Sequence, residues 1–442
     1  MTHMHRLLPK DRDPLAVAIR RLVRRSRRAV SRAVHPRTAH QRNELIVYAE
    51  SPFQAIVTSG ALSFVSVFLV RLGSPNWLVG LLSSLPALVL VLAIIPVGAY
   101  VQRHGHYVAT TNWSRVVFRG VISAFALLPL LPIGIAPYVL VAARSLVSIP
   151  GAAINVALTT VWGQATTPDR RPRMLSVRMA IQGLVAAGFG FAAGQWLDFA
   201  PYPLNYQLLF LSAIVATVCS IVIMSRLKLP EHAAPPTEAS APRAGLKEML
   251  ALVRDTPAFR NYSLASFVYR MGMWLPMALF AIYRVRTLGA SDSWIGTLLT
   301  VQRLTSVFAY FALSRLLARS RFRRHLWIAC AAMGQYPITQ ALASTAQMLV
   351  IPEFLAGIIA PGNNIFMTDT LYRVSPEDNR PAFISANTFL ANITAFVAPL
   401  LGTALADALG IRTALWIAGG LRIAGGVLFW RLGVNSAREE TA

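Results

Sequence analysis

Eight charged residues stand inside stretches that are otherwise apolar: Glu50, Arg119, Arg144, Arg270, Arg303, Glu353, Asp369 and Arg422. A charge at the middle of a bilayer costs at least about 2.5–3.5 kcal/mol on insertion scales, so each needs a partner or a water-filled cavity. The chemistry on offer is that of protons and counter-ions. A cavity-facing Glu50, with Gln54 one turn on, suits binding and release of a proton; the alternative is a carboxylate reaching for cytoplasmic arginines. Arg270 suits an anionic group on a solute, or a counter-ion to Glu50 or Glu353. Arg144 and Glu353 differ by 209, and eleven residues after each comes Asn155 or Asn364, on the same helical face. Opposite in sign, the two would pair across a pseudo-twofold axis, although Pro150-Gly151 and Pro361-Gly362 align at 211 instead. Arg144 has a second reading, as a side chain that snorkels or clamps neighbouring helices. Asp369 is expected to anchor a loop beside Arg373, and Asn363, Asn387, Asn392, Gln335 and Gln340 to join helices.

The elements that must position these groups follow from composition. The chain has 442 residues, 55% apolar and only 14% charged, against about 25% charged in soluble domains. The apolar residues fall in blocks of roughly 20 or more, the length a helix needs to cross hydrocarbon, with no period-two alternation. The expected spans are 46–70, 77–101, 111–132, 136–164, 173–197, 206–226, 260–283, 294–318, 325–345, 347–372, 382–406 and 411–431. Residues 1–43 are polar and Arg-rich, so no cleavable signal peptide is expected and the first span inserts by itself. Cys219 and Cys330 lie inside apolar blocks, where buried thiols are expected rather than a disulfide. No phosphate-binding Gly-x-x-x-x-Gly-Lys-Ser/Thr pattern occurs and no Cys/His cluster has metal-ligand spacing. No enzyme, cofactor or metal site is therefore expected.

The formal charge of +24 is distributed in a way that orients the chain. One set of loops holds Arg103, Arg170, Arg171, Arg173, Arg315, Arg319, Arg321, Arg323, Arg324, Arg373 and Arg380, while alternate loops are nearly bare apart from Arg71, Arg284, Arg286 and Arg412. The basic side faces the cytoplasm, which places both termini there and the chain in the cell membrane. Residues 14–34 carry apolar residues at helical spacing, and nine arginines run from Arg6 through Arg32. A basic amphipathic helix on anionic lipid is the favoured reading, ahead of a disordered basic tail. Nucleic acid is not expected, since no aromatic residue interleaves those arginines. A proline-rich stretch at 227–257, with a short surface helix from Leu246 to Val253, divides the spans six and six. The units are thus a basic segment 1–43, a six-helix bundle 44–226, a linker 227–257, a second bundle 258–432 and a tail 433–442.

The bundles repeat one another. Asp169-Arg170-Arg171-Pro172 matches Asp378-Asn379-Arg380-Pro381 at an offset of 209, which also pairs Thr159 with Thr368 and Asp198 with Asp407. Leu72-Gly73, Trp77 and Gly80 resemble Leu288-Gly289, Trp294 and Gly296 with a one-residue slip. Parallel repeats of this kind place a solute site near the midplane at their interface.

Residues 44–432 resemble the major facilitator superfamily. The sharpest element follows the second span, where Gly98, Arg103, Gly105 and the basic His106 fit the family's loop signature and Gln102 replaces its aspartate. Arg144 and Ser148 resemble its arginine motif in the fourth span. The resemblance implies an all-α membrane protein with twelve transmembrane helices as two parallel six-helix repeats, and a gating loop at Gly98, Gln102, Arg103 and Gly105. It also implies a chamber lined by spans 1, 4, 7 and 10, which sets Glu50, Arg144, Arg270 and Glu353 innermost. Together with the residues, it points to a monomeric secondary transporter exporting a small organic solute with proton linkage through Glu50 or Glu353. Alternatives are a flippase for lipids or other amphiphiles, and a non-transporting receptor or scaffold with the same fold.

Overall fold

The computed structural model describes residues 38–229, 253–316, 327–377 and 379–434. The basic segment through residue 37, residues 246–252 of the expected surface helix, and Arg319 to Arg324 lie outside them. The first half comprises α1 (Ala39–Ser59, continued by Ala61–Arg71), α2 (Asn76–His104), α3 (Tyr107–Ala124), α4 (Ala136–Leu146 and Ser148–Ala165), α5 (Arg171–Phe199) and α6 (Leu204–Met224). The second comprises α7 (Pro257–Trp274 and Met277–Ile282), α8 (Asp292–Leu316), α9 (Trp327–Ala332 and Gln335–Leu342), α10 (Val350–Val374), α11 (Arg380–Leu409) and α12 (Ile411–Arg431). Among the described residues, ten of these helical stretches are long and apolar enough to cross a membrane; α8 and the broken α9 are not among the ten.

The duplication is visible in the backbone. Gly73 and Gly289 both adopt positive φ, at 76° and 61°, turning the chain between the first and second helices of each half. A side chain would strain that left-handed conformation, so the Leu-Gly pair recurs where the turn recurs. The ends of each half are tied together: Asn43 Nδ2 donates to the Lys228 carbonyl at 2.8 Å, and Asn261 Nδ2 to that of Leu432 at 3.2 Å. This face is called the terminal face below, and the opposite one the far face.

The halves meet along two seams, α5 against α8 and α2 against α11. At the first, a Cβ added to Gly194 would stand 2.6 Å from the Asp292 carbonyl oxygen and 3.0 Å from the Gly296 Cα. Only glycine lets these helices approach so closely.

The breaks in α7 and α9 have a proline origin. Pro276 and Pro337 lack an N–H, which removes the donor four residues on from the carbonyls of Gly272 and Met333, leaving Met333 with only a long bond from the Tyr336 N–H at 3.3 Å. Arg422 of α12, 2% exposed, supplies both: Nε donates to the Gly272 oxygen at 3.0 Å and Nη1 to that of Met333 at 3.1 Å. Its Nη2 reaches the Met273 oxygen at 3.2 Å. A buried guanidinium without a carboxylate is thus satisfied by backbone that two prolines released.

Candidate functional site

In the first half, Glu50 projects from α1 into the space between α3 and α6 and is 2% exposed. Arg115 and Arg119, one helical turn apart on α3, converge on it. Arg115 Nη2 lies 3.0 Å and Arg119 Nη2 3.9 Å from Glu50 Oε1. Ser220 of α6 donates its hydroxyl to that oxygen at 2.9 Å and accepts from Arg115 Nη1 at 3.1 Å. Arg119 also donates to the Gln54 amide oxygen. Arg178 of α5 lies over the Trp162 ring, 4.3 Å from its centroid. Two buried guanidinium groups therefore share one carboxylate, and Arg115 Nε, Arg119 Nη1 and Arg178 Nε have no hydrogen-bond partner among the described residues.

In the second half, Glu353 at the start of α10 is 1% exposed. It forms an ion pair with Arg284, which lies in the π-helical turn after α7. Tyr336 donates to Glu353 Oε1 at 2.8 Å and accepts from Arg284 Nη2 at 2.9 Å, with Gln340 Nε2 3.4 Å from the same carboxylate oxygen. This corrects the expected pairing of Glu353 with Arg144, because Arg284 approaches from within the same half. Arg270 is likewise the counter-ion of neither glutamate; it lies half-buried beside Tyr262.

Arg144 lies in the last turn of the first segment of α4, half-buried, and among the described residues no charged partner reaches it. Eleven residues on, roughly 20° around the helix, Asn155 is exposed, followed by Thr159. The exposed Leu146 and Ile149 occupy the other side. Their repeat equivalents Asn364 and Thr368 are also exposed, and Asn364 Nδ2 donates to the Tyr310 hydroxyl of α8 at 3.2 Å. The polar side of α4 and its counterpart on α10 therefore present exposed amides and hydroxyls at repeat-equivalent positions. Asp369 pairs with Arg373 at 3.2 Å, as expected for a loop anchor.

The halves are joined to one another at the far face. Asp198, at the end of α5, accepts the backbone N–H groups of Asp292 and Ser293 at 3.0 Å each, capping α8. Asp407, its repeat equivalent at the end of α11, accepts from Asn76 of α2 at 2.6 Å. Arg71 pairs with Asp292 at 2.8 Å, the Tyr206 hydroxyl donates to the same carboxylate at 2.8 Å, and Arg286 reaches Asn76 and the Ser74 carbonyl. Deeper in, Thr300 donates to the Ala187 carbonyl at 2.8 Å. Toward the terminal face α2 is instead exposed at Leu92, Ile94 and Tyr100. Gln102 and Arg103 there are exposed too, and Gly105, at φ 64°, ends α2 with Gly98 half-exposed a little earlier.

Sequence reasoning missed Arg115, Arg284, Ser220 and Tyr336. Arg115 was detectable, since it precedes Arg119 by one turn. Arg284 fell just beyond the predicted end of its span, and its place in a loop hid it.

Two halves of like helical order, joined at the far face and built largely of helices long and apolar enough to cross a membrane, define a multi-pass membrane protein with parallel repeats. The sequence matches the Major Facilitator Superfamily over residues 53–262 and again over 262–442. The chain belongs to that family, and is a transporter rather than an enzyme. No curated protein sequence is a significant match. The fold is similar to a bacterial homologue of the human lysosomal transporter Spinster in an inward-facing, unoccupied conformation. There the TM-score is 0.61 at 14% identity, covering 90% of this chain and 96% of that one. The occupied inward-facing form of that homologue gives 0.60 at 14% identity, with 89% and 96% covered.

Proposed function

We propose that this chain is a secondary transporter of a small organic solute that works by alternating access. Its twelve helices cross the cell membrane, its termini are in the cytoplasm, and the described conformation opens inward. The bundles 44–226 and 258–432 move as a monomer's two rocking halves, while the basic segment before them rests on anionic lipid. The observation that carries this reading is the asymmetry of closure. Asp198, Asp292, Arg71, Arg286, Asn76 and Asp407 bind the halves at the far face, whereas α2 is bare toward the terminal face. Breaking that seal and closing the other end would pass a solute across.

Export linked to protons uses Glu50 or Glu353, which are buried in α1 and α10. Protonation would release Arg115 and Arg119, or Arg284, and so loosen the helices each carboxylate joins. In proteoliposomes, solute addition should change internal pH, and a Glu50→Gln, Glu353→Gln double variant should lose that change. Coupling unaltered in the double variant would overturn the proton linkage.

A further inference from the structure

We propose that the transported solute is an organic anion, whose charged head docks on the α1–α3–α4 wall of the first half at Arg119 and Arg144; this rests on the transport reading above. The charge ledger of the interior drives it. Arg115, Arg119, Arg144 and Arg178 of the first half have one buried glutamate among them, Glu50. In the second half Glu353 is already held by Arg284, and Arg422 by carbonyls. The half-buried Arg270 there also has an Nε without a hydrogen-bond partner among the described residues. Cations in such excess inside a membrane bundle call for a counter-charge.

Two of these groups are placed to meet a solute. Arg144 shares its helical side with the exposed Asn155 and Thr159, so a solute whose anionic head meets Arg144 can lay the rest of its length along neutral polar groups that begin about 16 Å down α4. Arg119 is covered by Gln54, a half-buried residue one turn before the exposed Thr58 on α1. The Gln54 amide oxygen is a neutral acceptor on a guanidinium whose Nη1 remains unpartnered. A carboxylate, phosphate or sulfonate oxygen in that position would make a charge-assisted bond about twice as strong, with geometry for a bidentate grip. Gln54 therefore acts as a stand-in, displaced when the solute arrives. The second half offers the exposed amide of Asn364 and hydroxyl of Thr368 to the rest of the molecule.

Inorganic sulfate is the probe for the head-group position, titrated against the full chain in non-ionic detergent at constant ionic strength, with the unfolding midpoint as readout. Wild type should show a saturable rise. Arg144→Gln and Arg119→Gln should each weaken the apparent affinity about tenfold, whereas Gln54→Ala should strengthen it by removing the competing amide. Arg144 is half-exposed, so its variant folds even where the Arg119 variant does not. An identical sulfate response, or none, in wild type, Arg144→Gln and Gln54→Ala would overturn the proposal. A neutral or cationic solute found to cross proteoliposomes in counterflow would sink the anion assignment while leaving the transporter reading intact. Failure of every solute class to show counterflow would instead strike at transport itself.

Discussion

Besides Glu44, which pairs with Arg170 at the terminal face, each half sets a glutamate deep between its helices against arginine, Glu50 in the first and Glu353 in the second, but they balance it differently. In the second half Glu353 faces a single Arg284, and Tyr336 and Gln340 complete the shell, leaving a neutral, closed cluster between α7, α9 and α10. In the first, Glu50 faces both Arg115 and Arg119, and one of those arginines turns to Gln54. Duplication copied the scaffold while the charge count diverged. A neutral cluster is suited to holding helices together; a cluster with surplus cation is suited to exchanging partners.

Substitutions test this contrast. The largest effect is expected from Glu50→Gln, which leaves two buried guanidinium groups facing one another; removing one side of a buried pair costs about 3–5 kcal/mol, and the upper end applies here. Glu353→Gln should sit at the lower end of that range, because Arg284 keeps Tyr336. Unfolding midpoints in detergent check the order, and equal losses would erase the distinction between the clusters. Arg422→Leu should cost about 2–3 kcal/mol by orphaning buried carbonyls. Adding Pro276→Ala, which restores a donor to the Gly272 oxygen, should recover part of it. Asp292→Asn weakens the far-face seal by about 1–2 kcal/mol and should raise labelling of a cysteine introduced at Thr58 from the far side. The smallest effect, under about 0.5 kcal/mol, is expected for Asp369→Asn, whose pair with Arg373 is 42% and 32% exposed. A larger loss there would place Asp369 in the gate rather than at its edge.

Ten of the spans and the repeat were readable because apolar run length depends only on local composition. Predicted ends at 77 and 101 correspond to α2 at Asn76–His104, and 411–431 matches α12. Gly73 with Gly289 and Asp198 with Asp407 were matched by offset; the glycines make the same turn, and both aspartates reach the start of a helix in the opposite half, Asp198 through backbone N–H groups of α8 and Asp407 through the Asn76 side chain. Individual partners were less readable. Arg422 looked like an unpaired membrane charge, whereas its ligands are carbonyls that no residue type announces. Arg144 and Glu353 looked complementary through symmetry, but Arg284, 69 positions before Glu353, reaches the carboxylate first.

Sequence by itself determined that this chain lies in lipid as two like bundles, since the transfer of some twenty apolar residues into hydrocarbon is settled segment by segment. It also determined which few charges had to be accounted for. Tertiary structure alone decided who neutralises whom and which end of the interface is shut. Ion pairs form between side chains brought within about 4 Å by helix packing, and that distance depends on the helices' rotation and tilt, which composition does not encode.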